Sequence, residues 1–389
     1  MNSLMLTPVD YVFTGIGSQP ITFAFYYPDY LDLKVLEYSL KRTLEYFPLL
    51  SSQLTQISEN EYQYSLREDG LTFEASESAS AFKDSDKIER YITPVNSAPG
   101  QPLTRITLTR NPQGSVLAVS ISHALVDGFS YFHFLSSWAR ISRGENFIQP
   151  SLDREMFVKY QTGTTEQITP DQLYTRCGLF YTDQPRNQQS GHSPHEKIFI
   201  SDETIRITLE EIKQDQQVSF TANDVITAML WKKYLPLWNQ KGDYPQTYIT
   251  CPFDFRRALT DFPKNYFGCA LCFATASIDL QSLRKSSLGE LALLIRNSIT
   301  RMKNDYILNS VQTLENFRRQ HGMLSMENIH LRHPLSGMIV TNLTRLPIAD
   351  LNFGSGVPAG FLTYAEVSRS AAILPASGGV EIIIAHPAN

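Results

Sequence analysis

A mixed α/β protein built in two halves is the fold class this chain predicts. Short apolar runs of strand length alternate with stretches of helical period, and they do so on both sides of residues 162–194. The intervening stretch is rich in Thr, Gln, Asn, Pro, Gly and Ser, the composition of a connecting segment. At 389 residues, 42% apolar and 11% aromatic, the chain can bury two cores or one large double core. The expected organisation is an N-terminal lobe over 1–161, a crossover linker over 162–195 and a C-terminal lobe over 196–389.

Taken in order, the first half offers a strand at 21–27 and then Leu33, Leu36, Leu40 and Leu44 at helical spacing. Strands follow at 63–67, 103–109 and 116–122. Phe129, Phe132, Leu135 and Trp138 then form an apolar stripe that reads as the core face of a helix. In the second half a strand is expected at 198–200. Thr221 and Asp224 stand at capping-box spacing before a helix that runs through Trp231. Leu288, Leu291, Leu294 and Ile299 mark another helix, and strands are expected at 247–251, 270–278, 337–342, 362–366 and 380–385.

The strand at 116–122 delivers His123, and Asp127 and Gly128 follow before the aromatic helix begins. An imidazole at a strand-to-helix junction stands where a cleft can open. Its ordinary pKa near 6.5 leaves the proton-accepting form well populated at neutral pH. Asp127 reads equally as a chemical partner or as a lock on the turn. Gly128, with no Cβ, lets backbone or substrate approach closely. By itself such spacing is weak evidence.

The surrounding segments make it stronger. His123-Ala124-Leu125-Val126-Asp127-Gly128 resembles the HxxxDG motif of the BAHD acyltransferases, relatives of chloramphenicol acetyltransferases and peptide-synthetase condensation domains. Leu6-Thr7-Pro8-Val9-Asp10 and Tyr46-Phe47-Pro48-Leu49-Leu50 resemble that family's opening, and 221–231 its second-half helix. Asp254-Phe255-Arg256-Arg257 with Tyr266-Phe267-Gly268, then Val340-Thr341-Asn342-Leu343, resemble later family segments in the right order. Asn352-Phe353-Gly354-Ser355-Gly356 is similar to the DFGWG stretch, and the closing run from Ile373 to Ile382 also matches. Asn352, Ser355 and Leu343 depart from the family's usual Asp, Trp and Trp.

The resemblance implies a two-lobed chloramphenicol acetyltransferase-like fold, mixed sheets flanked by helices, with a channel between the lobes. It implies acyl transfer from acyl-CoA, as co-substrate and not as a bound cofactor, to a hydroxyl or amine of a small molecule, without an acyl-enzyme. His123 is then the general base. Asp127 makes a structural ion pair with Arg256, Arg257 being the fallback. Thr341 is the candidate oxyanion donor, with an ordinary strand threonine as the alternative. CoA is expected near Thr221 and Asn223, at a helix start whose N–H groups attract anionic and polar groups, and at Gly354; for Thr221 a plain helix cap is the alternative. Two other readings stay open: a condensation-type enzyme with a carrier-bound donor, although Ser122 stands where such domains usually have a second His, and a non-catalytic binding relative.

Composition bounds the rest. A net charge of −5 and a pI near 5.9 argue against nucleic-acid binding by bulk charge. No run approaches the roughly 20 apolar residues of a membrane span, and no secretory signal is visible, so a cytoplasmic monomer is expected, with leaderless export left open. Cys269-x-x-Cys272 has zinc-like spacing but no second pair, and it reads as part of a buried strand, so no metal is expected. The pairs His192 and His195, and His330 and His333, read as solvated loop residues. No G-x-S-x-G elbow or phosphate-cradling Gly-rich loop appears.

Overall fold

In the computed structural model, residues 3–15, 17–157, 166–186, 194–215, 218–363 and 367–387 are described. All of strand Gly114–Ile121 is buried, which is the position of a central strand covered on both faces. It lies in a five-stranded sheet of order Gly360–Thr363, Ile21–Tyr27, Gly114–Ile121, Thr104–Asn111, Leu71–Glu77. The pairings are antiparallel except the last, in which Leu71–Glu77 runs parallel to Thr104–Asn111. Helices Leu33–Leu44 and Gly128–Ser142 pack on each other, and Trp138 donates its indole N–H to Ser39 Oγ at 3.0 Å.

The second sheet has six strands, in the order Leu271–Asp279, Gln246–Asp254, Gly337–Asn342, Ser370–Ala376, Gly379–Ala385, His195–Ser201. Gly337–Asn342 runs parallel to both neighbours and the remaining pairs are antiparallel. Helices Ala222–Trp238 and Leu288–Thr300 pack together against this sheet. A small sheet joins Ser3–Met5, Glu61–Leu66 and Ser52–Ser58. Among the described residues no helix is long and apolar enough to cross a membrane.

Most expected elements are present, with ends that move by a few residues. Ile21–Tyr27 and Gly337–Asn342 coincide with their expected ranges. Strand Gly360–Thr363 begins two residues before the expected 362, and 364–366 lie outside the described residues. The stretch read as linker contains helix Pro170–Cys177 and strand Phe180–Tyr181, the latter paired with Ile329–His330. Helices Asp202–Asp215 and Asn304–His321 were not expected. In Asn304–His321 the buried face includes Glu315 and Arg318, paired at 2.8 Å, so its apolar period is interrupted by charges that neutralise each other.

Candidate active site

The strand that carries the motif ends at Ile121, and the chain turns at once. Leu125 and Val126 both donate their amides to the Ser122 carbonyl, at 3.0 and 3.2 Å, and Ser122 Oγ accepts from the Ala124 amide at 3.2 Å. These bonds satisfy the backbone groups of a buried turn and leave the His123 side chain free to project. Tyr64 donates its hydroxyl to the Ala124 carbonyl at 2.5 Å, and Arg154 lies over the Tyr64 ring at 5.3 Å. Arg154 also bonds Asp10 at 2.5 Å, so the short Pro8–Tyr11 helix and the motif turn are fixed to the same guanidinium.

Just beyond that helix, Phe13 stacks on the His123 ring with centroids 4.0 Å apart and planes 4° from parallel. His123 itself is half-buried, and its Nδ1 is sealed from solvent without a hydrogen-bond partner among the described residues. Burial lowers the His123 pKa below its ordinary value; the Arg186 charge adds to this and the Asp127 carboxylate opposes it. The imidazole is therefore neutral at neutral pH, the state in which it accepts a proton.

Asp127 does not face His123. It caps the Gly128–Ser142 helix, with Oδ1 accepting from the Ser130 amide at 2.9 Å. Both its oxygens engage Arg256, at 2.6 and 2.9 Å, and the Ala270 amide donates to Oδ2 at 2.9 Å. Arg256 is 1% exposed and also bonds Asp254, Ser130 and the carbonyls of Tyr266 and Gly268. Burial would lower the Arg256 pKa, but Asp127 and Asp254 outweigh it and hold the guanidinium above its ordinary value. The motif turn of the first sheet is thus bolted to residues 254–270 of the second.

Thr341 lies near the end of its strand, half-buried. The register Thr250↔Ile339, carried two residues on, sets Thr341 level with Pro252, which pairs with Phe273. Phe273 packs on Phe13 at 6.4 Å, and Phe13 is the residue stacked on His123. The next residue, Asn342, donates to Asn223 Oδ1 at 3.0 Å, which ties the strand end to the start of the Ala222–Trp238 helix. There Asp224 accepts from the Thr221 amide at 2.7 Å and hydroxyl at 2.9 Å, and Arg296 bonds both Thr221 and Asp224.

A Cβ built on Gly128 would meet nothing within 4 Å, so of the two approaches expected there, backbone or substrate, the backbone makes none among the described residues and the space is open. Beside Gly354, Phe353 packs on Trp138 at 4.9 Å and Ser355 donates to the Tyr30 carbonyl at 3.2 Å. His330 and His333, expected as solvated loop residues, are half-buried with partners: the Thr182 hydroxyl lies 3.0 Å from His330 Nε2, and His333 stacks on Tyr248 at 5.1 Å. His195 makes contacts of its own, and His192 lies outside the described residues. All four cysteines are buried free thiols, and burial pushes the Cys251 thiol up to about 12.

Sequence reasoning missed Phe13, Tyr64 and Arg186. Arg186 reaches the carbonyls of Val12 and Thr14, beside Phe13. Nothing in the local pattern marks these residues, because each reaches the motif from a distant segment.

A family model described as the transferase family matches residues 2–389. The chain belongs to this family, the BAHD acyltransferases. It is 24% identical to a hydroxycinnamoyltransferase of Narcissus pseudonarcissus over 85% of this chain and 78% of that protein. It is 21% identical to anthranilate N-benzoyltransferase protein 1 of Dianthus caryophyllus, over 85% and 77% of the two chains. Among solved structures, F. graminearum TRI101 complexed with coenzyme A and deoxynivalenol superposes with a TM-score of 0.79 at 15% identity, over 99% of this chain and 95% of that one. Vinorine synthase gives 0.69 at 18% identity, over 98% and 89%. The fold of this BAHD member is therefore the two-lobed chloramphenicol acetyltransferase-like fold.

Proposed function

We propose that this BAHD protein transfers an acyl group from acyl-CoA directly to a hydroxyl or amine of a small molecule, with His123 as general base. The observation that carries the reading is an imidazole at a strand-to-helix junction, stacked on Phe13, whose following carboxylate is turned away into an ion pair. Asp127 serves instead to hold the turn.

In the proposed reaction the acceptor oxygen or nitrogen attacks the thioester carbonyl while its proton passes to the His123 imidazole. The Thr341 hydroxyl, near the end of its strand and half-buried, is the proposed donor to the oxyanion that forms. Collapse of the tetrahedral species breaks the carbon–sulfur bond, and the imidazolium returns its proton to the CoA thiolate. General-base help of this kind contributes about 10²–10⁴-fold, and holding both substrates in one cleft supplies the rest.

Two features support CoA at the start of the Ala222–Trp238 helix. Its N-terminal N–H groups offer a site for phosphate or polar pantetheine groups, and Asn223 is joined there to the strand that carries Thr341. The relatives named for O- and N-acylation leave both acceptor atoms open. Free thiol release from a panel of acyl-CoAs, with and without alcohols and amines, tests the reading. Acceptor-dependent release supports it, and its absence with every pair would reject it.

A further inference from the structure

The ring that covers one face of His123 is itself held from a distant segment. Phe13 lies between Val12 and Thr14, all three buried, and Arg186 donates to the carbonyls of both flanking residues, to that of Thr14 at 3.0 Å. One guanidinium thus grips the backbone on either side of a single side chain. Both of its terminal nitrogens serve this grip, a geometry that a planar fork supplies and an ammonium does not.

Arg186 can do this because the segment that carries it is anchored independently. Strand Phe180–Tyr181 pairs with Ile329–His330. The two segments stay tied beyond it: the Thr182 amide donates to the Asn328 carbonyl at 3.2 Å, and the Arg186 amide to the Glu327 carbonyl at 2.9 Å. Two glycines let these segments lie close against the N-terminal one. A Cβ on Gly17 would collide with the Arg186 carbonyl, and one on Gly15 with the Glu327 carboxyl. Gly15 also stands at φ 89°, in the left-handed region that favours glycine.

The N-terminal segment is fixed to the motif strand from its other side. The Gly15 amide donates to the Ser97 carbonyl at 3.2 Å, and Ser97 Oγ lies 2.6 Å from Oγ of Ser122, the residue before His123. Residues 13–15 therefore meet His123 twice, at its backbone through Ser97 and Ser122 and at its ring through Phe13, with centroids 4.0 Å apart. We propose that Arg186 is a positioning residue for the base: by clamping the Val12 and Thr14 carbonyls it seats the Phe13 ring on His123 and sets the direction in which the imidazole faces the acceptor. Arg186 then governs the rate through Phe13, without a role at the reacting atoms. Its effect on rate rests on the acyl-transfer reading, whereas the clamp itself rests on geometry alone. Misplacing a reacting group by about 1 Å can cost about 10²-fold, so a small turn of the ring suffices.

Two readouts on the full chain test this. The first needs no turnover: the imidazole C–H resonances of His123, assigned by their loss in His123→Ala, carry the ring-current shift of Phe13, and Phe13→Leu gives their unstacked position. In Arg186→Met they move toward that position. The second is acceptor-dependent thiol release from acyl-CoA. Arg186→Met lowers kcat about tenfold or more in the folded protein while KM for acyl-CoA stays within about twofold. Combined with Phe13→Leu it costs no more than the worse single variant, because both act through one contact. Arg186→Lys keeps the charge, gives up the fork and recovers little of the loss. Should Arg186→Met fail to fold, Arg186→Lys takes its place in both readouts. Resonances that stay at their wild-type position, losses that multiply in the double variant, a loss carried by KM alone, or a lysine variant that behaves as the wild type overturns the proposal. A wild type that releases no thiol with any acyl-CoA and acceptor overturns the acyl-transfer reading instead, and the resonances still decide the clamp.

Discussion

Phe13 and His123 lie ring on ring, and the stack covers one face of the proposed base. Burial, to which the stacked ring contributes, disfavours the imidazolium, so the pKa stands below the ordinary 6.5. The sign follows directly: the imidazole stays neutral to a lower pH than an unperturbed histidine would. The acid limb of kcat/KM is expected below about pH 6.5, and Phe13→Leu, by admitting water to the ring face, is expected to move it upward. A limb that stays in place in the variant would show that the stack does not set the pKa. Tyr64→Phe removes the donor to the Ala124 carbonyl and leaves that buried acceptor unpaired, which costs about 1–3 kcal/mol. Denaturant unfolding measures that loss, and a fall in kcat beyond it would show that the turn's position matters to the chemistry. At this scale His123, Asp127 and Arg256 were legible in the sequence because they sit in ordered motifs. Phe13 and Tyr64 were not, since each meets the motif only after the chain has folded back on itself.

The Gly128–Ser142 helix begins on a carboxylate that also carries the principal ion pair between the halves. Removing one partner of a buried pair leaves the other uncompensated, so Asp127→Asn is expected to destabilise the protein by about 3–5 kcal/mol and to lower activity with it. Unfolding equilibria check the magnitude, and a loss under about 1 kcal/mol would show that the remaining partners of Arg256 suffice. At the Ala222–Trp238 helix, Asn342→Ala breaks the link to Asn223 and is expected to raise KM for acyl-CoA several-fold while leaving kcat near its original value. Unchanged KM would move the donor elsewhere. Strands with unbroken apolar runs, such as Ile21–Tyr27 and Gly337–Asn342, were legible to the residue. Asn304–His321 was hidden because Glu315 and Arg318 occupy its inner face, and charge pairing between them cannot be seen from period alone.

Across the whole molecule the two halves are interleaved more than their composition implies. Strand Gly360–Thr363, late in the chain, adds to the first sheet beside Ile21–Tyr27, and Tyr27 bonds the Leu351 carbonyl at 2.8 Å. Four residues with no alternation of their own do not announce which sheet will take them, so this crossing was not legible. Acid sensitivity is also a property at this scale. Burial lowers the His330 pKa to about 4, with Arg186, Arg332 and His333 adding to it, whereas the unfolded chain takes up that proton near 6.5. Stability is therefore full above about pH 6.5 and declines as pH falls toward 4, and His330→Gln is expected to flatten that decline in denaturant midpoints. The account rests most heavily on one assignment, the imidazole as base. Acceptor-dependent thiol release from acyl-CoA by His123→Ala, set beside its unfolding transition, is the measurement that tests it most directly. A fall of about 10²-fold or more with the transition unchanged is the expected result. Turnover close to that of the wild type, in a folded variant, would contradict it.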